Sequence, residues 1–331
     1  MRAALIALLL LACGETGPAD AGADGSATDA GAPEPTLTVV TFNTGTTEGL
    51  DHDGAPDDGY TSEHAARSDT YYGDGLAWRP AVEAARAFFE RVDPDIVVFQ
   101  EIFHADECAD IPPDAHADFV CETWSPGDPT VAAAILPLGF QVACHPGKPD
   151  KCAAVHRRVG TFRGCDADFC LEGLSGTQVD GCGRGARVAR GLVDLVEGGT
   201  LTVVNVHGTS GVTADEQACR VAQFEQAFAL ADGETNLVMG DLNTDPGRLA
   251  GGDPSAARVL DFVGDGLPFH FVTDTGRRAT PTYAGLFNID HVISDRLEGR
   301  CVAAGITEGE PGVIDAVYFD HAPIVCRVGA R

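Results

Sequence analysis

Apolar runs of strand length recur along the chain, and most stop abruptly at a polar residue. Leu37–Phe42 is rich in β-formers and stops at Asn43. Ile96–Phe99 is apolar at every position, the pattern of a strand covered on both faces, and stops at Gln100-Glu101. Val188–Val196 and Leu201–Val206, joined by Glu197-Gly198-Gly199-Thr200, read as a hairpin whose second strand ends at His207. The run Asn236–Gly240 leads into Asp241-Leu242-Asn243. If the strand's period of two continues, Asp241 and Asn243 point the same way. Gly240 permits a close backbone approach, and Pro246 forbids further pairing. Asn288–Ile293 and Val317–Val325 enclose Asp290 and Asp320-His321 within apolar runs, and a further strand is expected at Cys152–His156.

Helical periodicity separates these runs. Over Trp78–Val92, Pro80 suits a first turn, and Val82, Ala85, Phe89 and Val92 form one apolar face. Thr213-Ala214-Asp215-Glu216 is a capping box opening a helix to about Ala231. Residues 46–76 read as a solvated acidic loop, and 102–186 as irregular and rich in Cys, Pro and Gly. No fixed repeat or internal linker appears, so residues 37–331 are expected to form one α/β domain.

Composition adds a location. Arg2 precedes the apolar run Ala3–Ala12, too short to span a bilayer but suited to a signal segment. Leu10-Leu11-Ala12-Cys13 resembles a bacterial lipobox, which implies cleavage after residue 12, lipidation of Cys13 and membrane attachment; ordinary cleavage and secretion is the alternative. Residues 14–36 lack the apolar content to fold and read as a tether. Beyond Cys13, ten of the eleven cysteines remain, an even number that in an exported chain implies up to five disulfides. Cys144–Cys152 and Cys301–Cys326 are the expected pairs; zinc ranks lower because no CxxC pair is present. The net charge of −28 repels nucleic acid and anionic membranes at long range. Against it, Arg157, Arg158, Arg184, Arg187 and Arg190 concentrate positive charge, either as local salt bridges or as a phosphate clamp with Arg190 the best candidate.

Taken singly, each polar run end is more often a strand end than a site. Together, Thr41-Phe42-Asn43, Phe99-Gln100-Glu101, Asn205-Val206-His207, Gly240-Asp241-Leu242-Asn243, Ile289-Asp290-His291 and Phe319-Asp320-His321-Ala322-Pro323 resemble, in order, the motifs of the endonuclease/exonuclease/phosphatase superfamily, the deoxyribonuclease I-like hydrolases. The resemblance implies a four-layer sandwich, two packed mixed β-sheets flanked by helices, with the site at one rim. It implies that Glu101 is a metal carboxylate, with Asn43 and Asp320 helping to place Mg²⁺ (or Mn²⁺ or Ca²⁺) or its waters. Oxygen ligands, few carboxylates and retained water suit that ion. It implies that His321 meets the phosphate, as base or as cationic clamp, oriented by Asp290. Asp241 then orients or activates water, Asn243 donates to a phosphate oxygen, and His207 is a general acid or phosphate donor. Gly208-Thr209-Ser210-Gly211 after His207 departs from the leucine common in relatives.

The reading is an exported, monomeric, divalent-metal-dependent phosphoesterase. An endonuclease acting on DNA comes first, and a sphingomyelinase-like or small-molecule phosphodiesterase or phosphatase second. A non-catalytic surface-binding lipoprotein is the competing class.

Overall fold

The structure is a computed structural model that describes residues 37–47, 50–54 and 58–331. The expected signal segment, Cys13 and the tether to residue 36 lie outside the described residues. Among the described residues, thirteen strands and six α-helices follow in order. They are β1 (Leu37–Asn43), α1 (Ser62–Tyr71), α2 (Arg79–Val92), β2 (Ile96–Gln100), α3 (Val131–Ala134), β3 (Phe140–His145), β4 (Lys148–His156), β5 (Gly160–Phe162), β6 (Phe169–Cys170), β7 (Val188–Leu195), β8 (Thr200–His207), α4 (Ala214–Leu230), β9 (Thr235–Asp241), α5 (Pro246–Leu249), α6 (Pro254–Leu260), β10 (His270–Phe271), β11 (Asp290–Ser294), β12 (Leu297–Ala303) and β13 (Ile324–Ala330).

The strands build two mixed sheets, ordered β12-β13-β1-β2-β4-β3-β6 and β10-β11-β9-β8-β7-β5. The side-chain period of two sorts each central strand between two cores. In β1, Val39 faces the core between the sheets, while Val40 and Phe42 face the core under α2. In β9, Leu237 and Met239 join the inter-sheet core, and Val238 packs with Phe224 and Phe228 of α4. Helix, sheet, sheet and helix are therefore the four layers, as the resemblance implies. Among the described residues, no helix is long and apolar enough to cross a membrane.

All ten described cysteines are paired, as Cys108–Cys121, Cys144–Cys152, Cys165–Cys170, Cys182–Cys219 and Cys301–Cys326. Both expected pairs are among them, each closing a pair of antiparallel strands.

Two expectations about elements are corrected. Residues 46–76 are not a loop throughout, because α1 lies within them and is flanked by Tyr60 and Tyr72, both buried. Thr61 caps this helix, with His64 closing the box from the third position; imidazole replaces the usual Glu or Gln there. The run Val317–Val325 is not one strand. Tyr318 is a buried loop residue, and β13 begins only at Ile324, after Pro323, which has no N–H for a ladder.

Candidate functional site

Strand register assembles the site. In the second sheet, His207 of β8 pairs with Asp241 of β9, which pairs with Asp290 of β11. Three polar residues thus stand side by side at one rim. In the first sheet, Asn43 ends β1 opposite Gln100 of β2, with Glu101 next and in a left-handed conformation, φ 56°. Asp320 and His321 precede β13, the other neighbour of β1. The two rims face each other across the inter-sheet core, joined by a buried polar tie. Gln100 Nε2 donates to Asn205 Oδ1 at 2.8 Å, and Asn205 Nδ2 donates to the carbonyls of Phe99 and Cys152. Sequence reading missed this tie, although a buried amide inside an apolar run must find partners.

Asp241 is at the centre and fully buried. Its Oδ1 accepts from the Asn243 backbone N–H at 2.6 Å, and its Oδ2 accepts from Asn43 Nδ2 at 3.1 Å and Asn243 Nδ2 at 2.7 Å. Gly240 makes this placement feasible. Its φ is +142°, and a Cβ there would fall 1.9 Å from the Val206 carbonyl oxygen. Asn243 has φ 52°, and its side-chain nitrogen also donates to the Gly208 carbonyl at 3.0 Å. An amide nitrogen has two protons, and both are taken. Asn243 therefore holds Asp241 in place, which corrects the expected bond to a phosphate oxygen.

His321 donates from Nδ1 to Asp290 Oδ2 at 2.8 Å. Its Nε2 faces the cleft, 3.9 Å from both Asp241 Oδ2 and Asp320 Oδ1. Burial opposes its protonated form, but Asp290, with Asp241 and Asp320 behind it, outweighs burial and lifts its pKa to about 10. His207 is the opposite case. Burial first, then the positive charges of Lys151 and Arg187, push it well below the ordinary imidazole value. Its Nε2 lies 3.4 Å from Glu101 Oε1 and 3.8 Å from Asp241 Oδ2. One cationic and one neutral imidazole thus share the cleft, an arrangement that divides their roles.

The donors fit a hard divalent cation. A Cβ built on Gly45 would fall 2.2 Å from Glu101 Oε2 and 3.2 Å from both Asn43 Oδ1 and Asp320 Oδ1, so three oxygens gather in a space only glycine leaves open. Asp320 Oδ1 is buried without a hydrogen-bond partner. Burial lifts Glu101 and Asp320 to about 7, against the lowering pull of the nearby His321 charge. Among the described residues no group of three or more His, Cys, Asp or Glu is placed to hold a metal ion. Two carboxylates and an amide suit an ion that keeps much of its water.

Asn43, Glu101, His207, Asp241, Asn243, Asp320 and His321 all line one cleft of about 780 Å³, with Asp290 behind His321. Arg190 does not line it. Its guanidinium bonds Asp232 at 2.8 Å and the Leu230 carbonyl, a structural tie between β7 and the end of α4. Arg157 and Arg158 are likewise tied, to Asp168 and to Asp93 and Asp95. For Arg157, Arg158 and Arg190 the expected clamp is corrected, because nearby carboxylates have taken their charge.

The loop after His207 has its own support, which the sequence did not announce. Arg220 of α4 is 1 % exposed and donates to the carbonyls of Thr209 and Gly211, to Ser255 Oγ and to Asp253 Oδ2. Asp253 also accepts from Thr244, the neighbour of Asn243. One buried guanidinium therefore fixes the chain on both sides of the Asn243–Gly208 bond.

The Endonuclease/Exonuclease/phosphatase family matches this chain over residues 40–311. Among solved structures, the chain is similar to a functionally unknown conserved protein from Enterococcus faecalis V583, with TM-score 0.53 and 13% identity over 89% of this chain and 100% of that one. It is similar to the human nocturnin catalytic domain with bound sulfate, with TM-score 0.53 and 14% identity over 90% and 96%. A mannosyl-6-phosphatase from Bacteroides thetaiotaomicron VPI-5482 gives TM-score 0.52 and 15% identity over 89% and 100%. At these identities the likeness is one of fold. Among curated proteins, none matches this chain in sequence.

Proposed function

Because this chain belongs to the Endonuclease/Exonuclease/phosphatase family, whose members hydrolyse phosphate esters, we propose that its rim cleft hydrolyses a phosphate ester with the help of a divalent cation. The observation that carries this reading is the convergence of the Asp290–His321 pair, the triply bonded Asp241 and the Glu101–Asn43–Asp320 oxygens on one cleft.

When bound by Glu101, Asn43 and Asp320, Mg²⁺ (or Mn²⁺ or Ca²⁺) would screen phosphoryl charge and stabilise the departing oxygen. The chain's residues supply the rest. His321, held cationic by Asp290, donates from Nε2 to a phosphoryl oxygen, so the clamp role is preferred to the base role. Asp241 orients the attacking water and accepts its proton. Burial raises its pKa, against the bonds from Asn243 and Asn43, which brings a carboxylate base nearer to neutral pH. His207, neutral beside Glu101, is the donor to the departing oxygen.

DNA, preferred from the sequence, loses the support of Arg157, Arg158 and Arg190, which are spent on carboxylates. Export is part of the proposal, because five disulfides suit an oxidising compartment. Membrane attachment through Cys13 is proposed on the lipobox alone; Cys13→Ser should release the protein from membranes, and unchanged retention would refute it.

The catalytic proposal is tested with bis(p-nitrophenyl) phosphate, plasmid DNA and RNA, each with Mg²⁺ or EDTA. Turnover of the synthetic diester should need the cation and fall by about 10²–10⁴-fold in Glu101→Ala and His321→Ala. Turnover indifferent to EDTA and to both substitutions would sink the proposal.

A further inference from the structure

The cleft continues outward past the candidate reactive residues, and its mouth has a different chemistry. Among the described residues no Lys or Arg lines the cleft, and beyond the reactive residues its one carboxylate is Asp74. None of residues 48, 49 and 55–57 is basic. A polynucleotide placed for cleavage leaves further phosphates on either side of the scissile one. Such phosphates are normally met by Lys and Arg. This mouth offers them no cation, only the Asp74 carboxylate.

What it offers instead is apolar surface. Leu50, Ile306 and Val317 line the mouth and are 52%, 45% and 50% exposed. Val313 and Ile314 complete the wall and pack on the core beneath. The Tyr283 ring stands 4.7 Å from the His321 ring, carrying the apolar surface to the phosphate position. Large aliphatic side chains gathered beside a polar site are the usual lining of a pocket for an organic ligand.

We propose that this wall seats the uncharged, largely apolar body of a phosphoester substrate, with the phosphate at the rim residues. The inference rests on the phosphoesterase reading of the cleft and adds its substrate class. In the reaction the oxygen of water bonds to phosphorus, the bond from phosphorus to one ester oxygen breaks, and that oxygen leaves as an alcohol after taking a proton. A diester yields a monoester and an alcohol, with no redox partner.

The test uses the full chain with Mg²⁺ and a series of alkyl p-nitrophenyl phosphates from methyl to octyl, read by p-nitrophenolate release. About 0.8 kcal/mol per buried methylene corresponds to roughly fourfold each when burial is complete. With the chain partly exposed on an open wall, kcat/KM should still rise at least about tenfold from methyl to octyl. Ile306→Asp and Val317→Asp should flatten that rise, lowering kcat/KM for the octyl ester far more than for the methyl ester. A flat or falling series with active methyl ester overturns this inference alone. No turnover of any ester with any of the three cations overturns the phosphoesterase reading beneath it. Oligonucleotides hydrolysed faster than the octyl ester overturn the apolar-body inference and leave the phosphoesterase reading standing. A phospholipid in mixed micelles, compared with monomeric octyl ester, separates two sources of the same chemistry. Faster turnover in micelles assigns an amphiphile, and the reverse assigns a soluble ester.

Discussion

Asp290 places one oxygen on His321 Nδ1, and its other oxygen is buried without a partner. A carboxylate so placed acts mainly through the charge it holds on the imidazole. With His321 lifted to about 10, the clamp survives neutral pH and is lost as pH rises through that value. Asp290→Asn keeps the shape and removes the charge. We predict that kcat falls about 10²-fold, at the lower end of the usual range for a positioned acid–base group, and that the alkaline limb of the pH–rate profile moves down toward the ordinary imidazole value near 6.5. An unmoved limb would show that His321 is not the cationic group. Stability should follow the same sign. The pair's contribution is full below about 6.5 and gone above about 10, so the Tm gap between wild type and variant should close across that window.

The elements that carry the site are held by buried polar ties more than by propensity. Arg220 serves α4, α6 and the loop after His207 at once. Arg220→Met leaves Asp253 and two carbonyls without their partner and is expected to cost about 3–5 kcal/mol in chemical denaturation. Thr244→Val removes a single bond to Asp253 and should cost only about 1 kcal/mol. Equal effects of the two would contradict the knot. This level was only half legible in the sequence. The rim residues Asn43, Glu101, His207, Asp241 and Asp290 could be read because a strand's end is marked by its apolar run, and register then sets them in line. Arg190 and the Asn243 side chain were misassigned because sequence displays a charge or an amide but not what has already bonded it. Helix α1 was invisible because its face is weakly apolar and its cap box uses His64. Gln100 and Asn205 stood in plain view, yet their bond spans the two sheets, between residues far apart in the chain.

At the scale of the whole molecule, five disulfides tie a chain whose net charge of −28 pushes it apart. Their worth should follow the length of chain each one closes. Cys182–Cys219 spans 37 residues and Cys165–Cys170 spans 5. Replacing the first pair by alanine is expected to cost about 4 kcal/mol and the second about 2 kcal/mol, measured by chemical denaturation. The reverse order would place the stabilisation in native contacts instead. Between Ala303 and Ile324 one segment carries both the apolar wall, at Ile306 and Val313–Val317, and the reactive pair Asp320-His321. Tyr318 divides them. It is fully buried, and its hydroxyl accepts from the Ala77 N–H at 3.2 Å and donates to the Gly75 carbonyl at 3.3 Å. Such a pin separates the wall mechanically from the reactive pair. Exchanges ahead of Tyr318 are therefore expected to change what the cleft admits while the residues behind it keep their aim.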